Sequence, residues 1–91
     1  MENKWYVYIL RCSDETLYTG ITNAPERRLA AHNNGTASKY TRSRRPAKMV
    51  YCEEAAEKGD ALRRELAIKA MSRQQKLALI ERFAECNSTK E

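Results

Sequence analysis

The alternation of apolar and polar positions near the start of the chain predicts two neighbouring strands. Residues 5–12 and 17–22 are rich in aromatic and β-branched side chains, and the polar residues 13–15 between them have the composition of a turn. We therefore predict an antiparallel hairpin. Side chains two apart share one face of a strand, so Tyr6 and Tyr8 should lie on one face and Val7 and Ile9 on the other.

A short basic helix is predicted directly after the hairpin. Asn23 has the position of an N-cap, Pro25 is tolerated in a first turn, and Glu26 completes a capping-box pattern. The helix should run to about Asn33 and end at Gly35, because glycine readily adopts the left-handed conformation that closes a helix.

The second half of the chain predicts one more strand and two helices. Residues 36–46 have no apolar periodicity and are expected to form a loop, and residues 48–53 a third strand. A helix should follow from about Ala56 to Met71, or from a cap at Asp60, since the intervening Gly59 is a poor interior residue. Its apolar positions are Leu62, Leu66 and Ile68.

A last helix is indicated by a second capping box. Ser72 and Gln75 have the spacing of that motif, and the helix should reach about Cys86. Its buried face is expected to consist of Ala78, Leu79, Ile80 and Phe83.

Composition narrows the class of protein. A chain of 91 residues predicts a single domain over 1–91 with an ordered core of about 4–86. The formal net charge of +5 suggests an anionic partner, most often nucleic acid, although charge of this size can also serve solubility alone. Three widely spaced cysteines argue against a disulfide framework and a structural zinc site, and fit a reduced, cytoplasmic protein. Neither a signal peptide nor a membrane-spanning run is seen, so no membrane partner is expected.

Chemistry-bearing side chains concentrate in the hairpin and the first helix. Tyr8 and Tyr18 belong to the two strands, and Arg28 and His32 lie one turn apart on the helix. A guanidinium and a titratable imidazole can act together on one anion, and a phenol can position a water or take its proton. The alternatives are that the tyrosines fill the core and that His32 has a surface or capping role.

Two further features suggest ligands. Helical spacing aligns Glu65 with Ala61 and Ile68, beside the apolar stripe, where a glutamate needs a partner. A divalent metal or an arginine would supply that partner, and a salt bridge, for example to Lys69, is an equally good explanation. The segment 39–48 combines five basic residues with one aromatic ring, which suits phosphate contacts and base stacking. Its predicted nucleic-acid-binding residues are Lys39, Tyr40, Arg42, Arg44 and Arg45.

These residues together resemble a known family. Residues 6–8 (Tyr-Val-Tyr) and 18–20 (Tyr-Thr-Gly) resemble, at the right spacing, the paired tripeptides of the GIY-YIG nuclease superfamily. Arg28 stands at the position of the family's invariant arginine, and His32 matches the branch whose members carry a histidine one turn after that arginine. Residues 64–69 resemble the family's helix with the metal-binding glutamate. Residues 39–46 resemble the same segment of small standalone bacterial members.

The resemblance implies an α+β fold, with a small three-stranded antiparallel sheet flanked by helices, and hydrolysis of a DNA phosphodiester with one divalent metal, Mg²⁺ or Mn²⁺. By this resemblance Glu65 would hold the metal and Arg28 would bind the scissile phosphate. Tyr8 would activate or orient the attacking water, Tyr18 would hydrogen-bond the phosphate or that water, and His32 would assist proton transfer.

Two functions remain open at this stage. The first is a structure-selective or weakly selective endonuclease of DNA repair or recombination, a monomer or weak homodimer acting on branched or single-stranded regions. The second is a nucleic-acid-binding module with little or no activity. The retained site residues favour the first. The second is favoured by Ile21, which stands where some family members carry a lysine, and by the lack of a matching late asparagine.

Overall fold

A three-stranded antiparallel sheet with helices on both faces forms the domain. The computed structural model describes residues 4–88. In chain order the elements are β1 (Trp5–Arg11), β2 (Leu17–Thr22), α1 (Pro25–Asn34), α2 (Lys39–Arg42), β3 (Lys48–Ala55), α3 (Lys58–Lys69) and α4 (Arg73–Ser88). The strand order is β2-β1-β3, which confirms the predicted hairpin and α+β class. No helix among the described residues has the length and apolar character needed to cross a membrane.

The central strand β1 is buried on both faces. Val7 and Ile9 belong to a core cluster shared with α3 and α4, whereas Tyr8 and Leu10 belong to a second cluster toward α1. The predicted alternation is therefore confirmed. It brings Tyr8, with 1% of its surface exposed, beneath α1 rather than into the larger core.

Helix α1 begins without the predicted cap. Its N-cap is Ala24, which has no capping side chain, and Pro25 is the first helical residue. Asn23 therefore lies one residue before the N-cap position. The Ala24 amide donates a hydrogen bond to Thr22 Oγ1 at 3.0 Å. The predicted helix end is confirmed, since Gly35 adopts a left-handed conformation with φ of 82°.

The segment predicted to be a loop contains a short helix. Ser38 Oγ accepts from the Tyr40 amide and caps α2, which is four residues long and so too short to show a periodic pattern. The Asn33 side chain ties the end of the segment to α1, because it bonds both the amide (2.7 Å) and the carbonyl (3.0 Å) of Ala47. The segment 36–47 is thus held against α1, near Tyr8 and His32.

The inner faces of the last two helices differ in part from the prediction. On α3, Ala61 and Ile68 are buried, whereas Leu62 and Leu66 are 42% and 68% exposed. The helix also starts later than Ala56 and without a cap at Asp60. On α4, the capping box of Ser72 and Gln75 is present. Ile80, Leu79 and Phe83 face the core as predicted, but Ala78 is exposed and Leu77 packs inward instead.

Candidate active site

A buried chain of hydrogen bonds runs from the sheet through α1 to α2. The Tyr8 hydroxyl and His32 Nε2 are 2.9 Å apart, and His32 Nδ1 and Thr41 Oγ1 are 2.8 Å apart. Both His32 and Thr41 have no exposed surface. Three elements distant in sequence therefore converge on one imidazole, and the surface or capping role considered for His32 is wrong.

The partners of this chain favour one tautomer of His32. In the arrangement in which the Thr41 hydroxyl donates its proton to the Ser38 carbonyl at 3.4 Å, Thr41 Oγ1 accepts from Nδ1–H of the imidazole. A neutral imidazole carries one proton, which leaves Nε2 as an acceptor. The Tyr8 hydroxyl therefore donates to Nε2, and this nitrogen is the group to which the phenol can pass its proton.

Burial and neighbouring charge keep both groups neutral. Burial raises the pKa of Tyr8 above its ordinary 10.0, the Arg28 guanidinium opposes part of that rise, and the charges of Tyr18 and Glu65 add to it. Burial also lowers the pKa of His32 below its ordinary 6.5, and the Arg28 charge lowers it further. A neutral phenol facing a neutral imidazole is the starting state that a proton relay requires.

Two aromatic rings, those of Tyr8 and Tyr18, lie against the imidazole, and a third, that of Tyr40, stacks on Tyr18. Tyr18 meets His32 edge to face with ring centroids 5.2 Å apart, and its centroid lies 6.5 Å from that of Tyr8. Tyr40 stacks on Tyr18 at 5.8 Å, and the Arg44 guanidinium lies 4.0 Å from the Tyr40 ring centroid. Tyr40 thus already has two ring contacts within the protein, which a stacked base would have to replace.

Arg28 carries an unsatisfied donor. Its Nε atom is buried and has no hydrogen-bond partner among the described residues. A buried donor without a partner is costly, and such atoms in native structures call for a ligand or a functional explanation. An anion bound beside Arg28 would supply the missing acceptor. The neighbouring Arg27 is exposed, as expected of a solvated position.

Glu65 is the carboxylate of this region. Its side chain is 16% exposed, and its Oε2 lies 3.3 Å from Lys69 Nζ, so the predicted salt bridge is present. No group of three His, Cys, Asp or Glu side chains within the described part of the chain could hold a metal ion. One carboxylate nonetheless fits an ion such as Mg²⁺, which is commonly held by one or two carboxylates together with water and substrate phosphates. The donor set therefore suits a metal bound together with the substrate.

The basic segment is only partly available to a ligand. Arg44 bonds the Asp14 carboxylate at 2.9 Å and the Tyr40 carbonyl at 2.8 Å, and Arg45 bonds the Arg42 carbonyl at 2.8 Å. Lys39 and Arg42 are exposed. Sequence reasoning missed Thr41, because a threonine in a segment predicted to be a loop carries no signal of a buried hydrogen bond to histidine.

Comparison with known proteins identifies the family. Residues 4–78 match the family model of the GIY-YIG catalytic domain. The chain belongs to the GIY-YIG family. This match confirms the resemblance seen in the sequence, and the GIY-YIG domain suggests nuclease activity.

Relatives of similar size are about half identical to this chain in sequence. A UPF0213 protein of Staphylococcus haemolyticus is 54% identical over 78 residues, which are 86% of this chain and 95% of the relative. One of Clostridium perfringens is 57% identical over 75 residues, 82% of this chain and 81% of the relative. The solution structure of a UPF0213 protein from Bacillus halodurans matches with a TM-score of 0.56 and 40% identity, over 86% of this chain and 83% of that one.

Proposed function

We propose that this protein is a metal-dependent DNA endonuclease in which Tyr8, His32 and Thr41 form a proton relay beside a phosphate-binding Arg28. The observation that supports it most is the buried hydrogen-bond chain from Tyr8 through His32 to Thr41, because a binding module needs no general base. The proposal extends to repair or recombination of DNA inside the cytoplasm, on substrates with branched or single-stranded regions.

The hydrolytic step follows from the donor and acceptor directions. A water next to the Tyr8 oxygen loses a proton to that oxygen as the phenol passes its own proton to His32 Nε2. The resulting hydroxide attacks the phosphorus, and the bond to the leaving oxygen breaks. His32 becomes an imidazolium whose Nδ1–H stays bonded to Thr41. Protonation of the leaving oxygen by solvent and return of the His32 proton restore the starting state.

Charge on the phosphate is balanced by two groups. The Arg28 guanidinium, with its unpartnered Nε, would bind the scissile phosphate and stabilise the charge that develops in the transition state. Glu65 would hold one Mg²⁺ or Mn²⁺, which when bound neutralises phosphoryl oxygens and assists the leaving group. Tyr18 would orient the water or the phosphate through its hydroxyl.

A cleavage assay with matched variants tests this proposal. Labelled single strand, duplex, flap, fork and four-way junction would be incubated with Mg²⁺, Mn²⁺ or EDTA. We expect metal-dependent cuts that Arg28→Ala and Glu65→Ala abolish. The controls are Arg27→Ala, which removes an exposed arginine from the same helix, and Lys69→Ala, which frees the Glu65 carboxylate; both should cut. Cuts that survive in Arg28→Ala and Glu65→Ala would overturn this assignment of the site.

A second candidate is a nucleic-acid-binding module. It is supported by the ion pair between Glu65 and Lys69, which satisfies the carboxylate without a metal. Intact DNA in every lane of the same assay, accompanied by a salt-sensitive gel shift, would favour this function over the nuclease.

A further inference from the structure

A cavity of about 330 Å³ lies next to Arg28. It forms where β1 begins, β2 ends and α3 begins, and its lining residues are Trp5, Ile21, Thr22, Asn23, Arg28 and Lys58. This volume is at the small end of the range for ligand sites and suits one planar group rather than a duplex. Because Arg28 borders both the cavity and the candidate active site, whatever enters the cavity adjoins the phosphate bound there.

The cavity has an aromatic wall. The half-buried Trp5 packs against the main core cluster and also lines the cavity, so its ring is anchored against the core. Lys58 Nζ lies 5.2 Å from the ring centroid. Lys58 is exposed and forms no ion pair within the described residues, so its side chain can move aside. An anchored indole ring beside a displaceable cation is the kind of platform on which an unpaired base stacks.

Two polar groups at the cavity have no hydrogen-bond partner among the described residues. The Asn23 side chain is exposed and makes no hydrogen bond in the described part of the chain, because α1 starts without it. Arg28 Nε is buried without a partner. A carboxamide can bond the edge of a base through its donor and acceptor, and a guanidinium can bond its phosphate. Both side chains line the same cavity.

We infer that this cavity binds the unpaired base of the nucleotide next to the scissile phosphate, with the base stacked on Trp5 and its edge bonded to Asn23. Lys58 then leaves the ring and contacts the nucleic-acid backbone. The inference rests on the proposed function, and deepens it by naming the substrate class: a strand whose base beside the cut is free of a complementary partner. A paired base cannot enter, since its edge and faces are already occupied by the duplex.

The only tryptophan of the chain makes the inference directly measurable. The protein would be titrated in EDTA, where no cleavage occurs, with oligothymidylate and with a strand of equal length in which every base is absent. We expect quenching of Trp5 fluorescence by the first strand only, and an affinity for it about tenfold higher, because only that strand has bases that can stack on the ring. Equal affinities, or no quenching, would overturn the inference.

Variants separate the base contact from general electrostatics. Measured by anisotropy of a labelled strand, Trp5→Leu should lose about tenfold in affinity for oligothymidylate and nothing for the base-free strand. Trp5→Phe keeps an aromatic ring and should bind nearly normally. Lys58→Ala should weaken both strands alike, and Lys76→Ala on α4, which does not line the cavity, should affect neither. Loss in Trp5→Leu that is equal for both strands would contradict stacking.

The outcome is distinguishable from that of the proposed nuclease activity. Base-dependent quenching without cleavage in Mg²⁺ would support the pocket and overturn the nuclease. The opposite result is cleavage in Mg²⁺ together with equal affinities for oligothymidylate and the base-free strand. It would overturn the inferred base pocket and leave the proposed nuclease activity standing.

Discussion

The phenol of Tyr8 lies directly against the backbone of Gly20 on the paired strand. A Cβ atom at Gly20 would come 2.6 Å from the Tyr8 hydroxyl and 2.8 Å from its Cζ. Tyr8 is buried and its hydroxyl is bonded to His32, so the ring cannot yield without breaking that bond. We therefore expect Gly20→Ala to reduce the cleavage rate by about a hundredfold, as for loss of a general base, and stability by about 1–3 kcal/mol, measured by cleavage assay and urea unfolding.

A second glycine provides the control. At Gly59, in the first turn of α3, an added Cβ would meet only Arg63 at 3.8 Å, an ordinary contact. Gly59→Ala should therefore raise stability by about 0.5–1 kcal/mol and leave cleavage unchanged. A Gly20→Ala protein that cuts at the normal rate would show that Tyr8 needs no fixed position.

Arg28 should be unfavourable for stability. Its buried Nε has no hydrogen-bond partner in the part of the chain that the structure describes, and a buried donor without a partner costs roughly 1–3 kcal/mol. We expect Arg28→Met, which has a similar length and no donor, to raise the free energy of unfolding by about 1 kcal/mol while it lowers the cleavage rate by about 10²–10³-fold. It should also raise the pKa of His32, since the Arg28 charge lowers that pKa. NMR titration of the single histidine and urea unfolding measure both effects.

The exposed neighbour Arg27 is the natural comparison, because Arg27→Met removes the same charge from the same helix. It should change neither stability nor cleavage beyond small effects. A loss of stability in Arg28→Met would mean that the guanidinium is held by favourable contacts rather than awaiting a ligand.

Local patterns were sufficient to predict the sheet. Residues 5–12 and 17–22 are strongly β-forming, and the alternation that buries Val7 on one face and Tyr8 on the other depends only on strand geometry. The face of α3 was harder, because the predicted Ile68 is buried together with the small Ala61, while the predicted Leu62 and Leu66 are exposed. Which side of a helix meets the sheet depends on the tertiary arrangement, and hydrophobicity alone identified only one of the buried residues.

The candidate site was predictable in its residues but not in its connections. The family resemblance pointed to Tyr8 and His32, and the structure joins them by a hydrogen bond. Thr41, the hydrogen-bond partner of His32 Nδ1, comes from a four-residue helix that has no sequence signature. Asn23 had the signature of a cap, but the N-cap is Ala24, and the Ala24 amide is bonded to the Thr22 side chain. Competition between adjacent polar residues is decided by backbone geometry that the sequence does not state.

Protonation of His32 should destabilise the fold. Its pKa is lower in the folded protein than its ordinary 6.5, chiefly through burial. The unfolded chain therefore binds a proton more readily, and stability that is complete above about pH 6.5 is lost as the pH falls toward the lowered value. Urea unfolding of the wild-type protein and of His32→Gln between about pH 5 and pH 8 should show this slope in the wild-type protein only. Equal slopes in both proteins would contradict a buried neutral imidazole.

Three arginines of the predicted nucleic-acid surface should behave differently from one another. Arg42 is exposed, whereas Arg44 is bonded to Asp14 and Arg45 to the Arg42 carbonyl. Arg42→Ala should reduce the slope of log affinity against log salt by about 0.7–0.9, as expected for one lost phosphate contact, and leave stability unchanged. Arg44→Ala and Arg45→Ala should also lower the urea midpoint, because each removes hydrogen bonds that hold the segment.

Arg82, an exposed arginine on α4, is the control for this surface. Arg82→Ala removes the same charge at a distance from the segment and should leave the salt slope as it is in the wild-type protein, since counterion release depends on contacts with phosphate rather than on net charge. An unchanged slope in Arg42→Ala would mean that the nucleic acid does not cross this surface. A fall in the urea midpoint confined to Arg44→Ala and Arg45→Ala would show that those two side chains stabilise the segment that carries Tyr40 and Thr41. Arg42 and Lys39 would then be the residues of this segment that contact the nucleic acid.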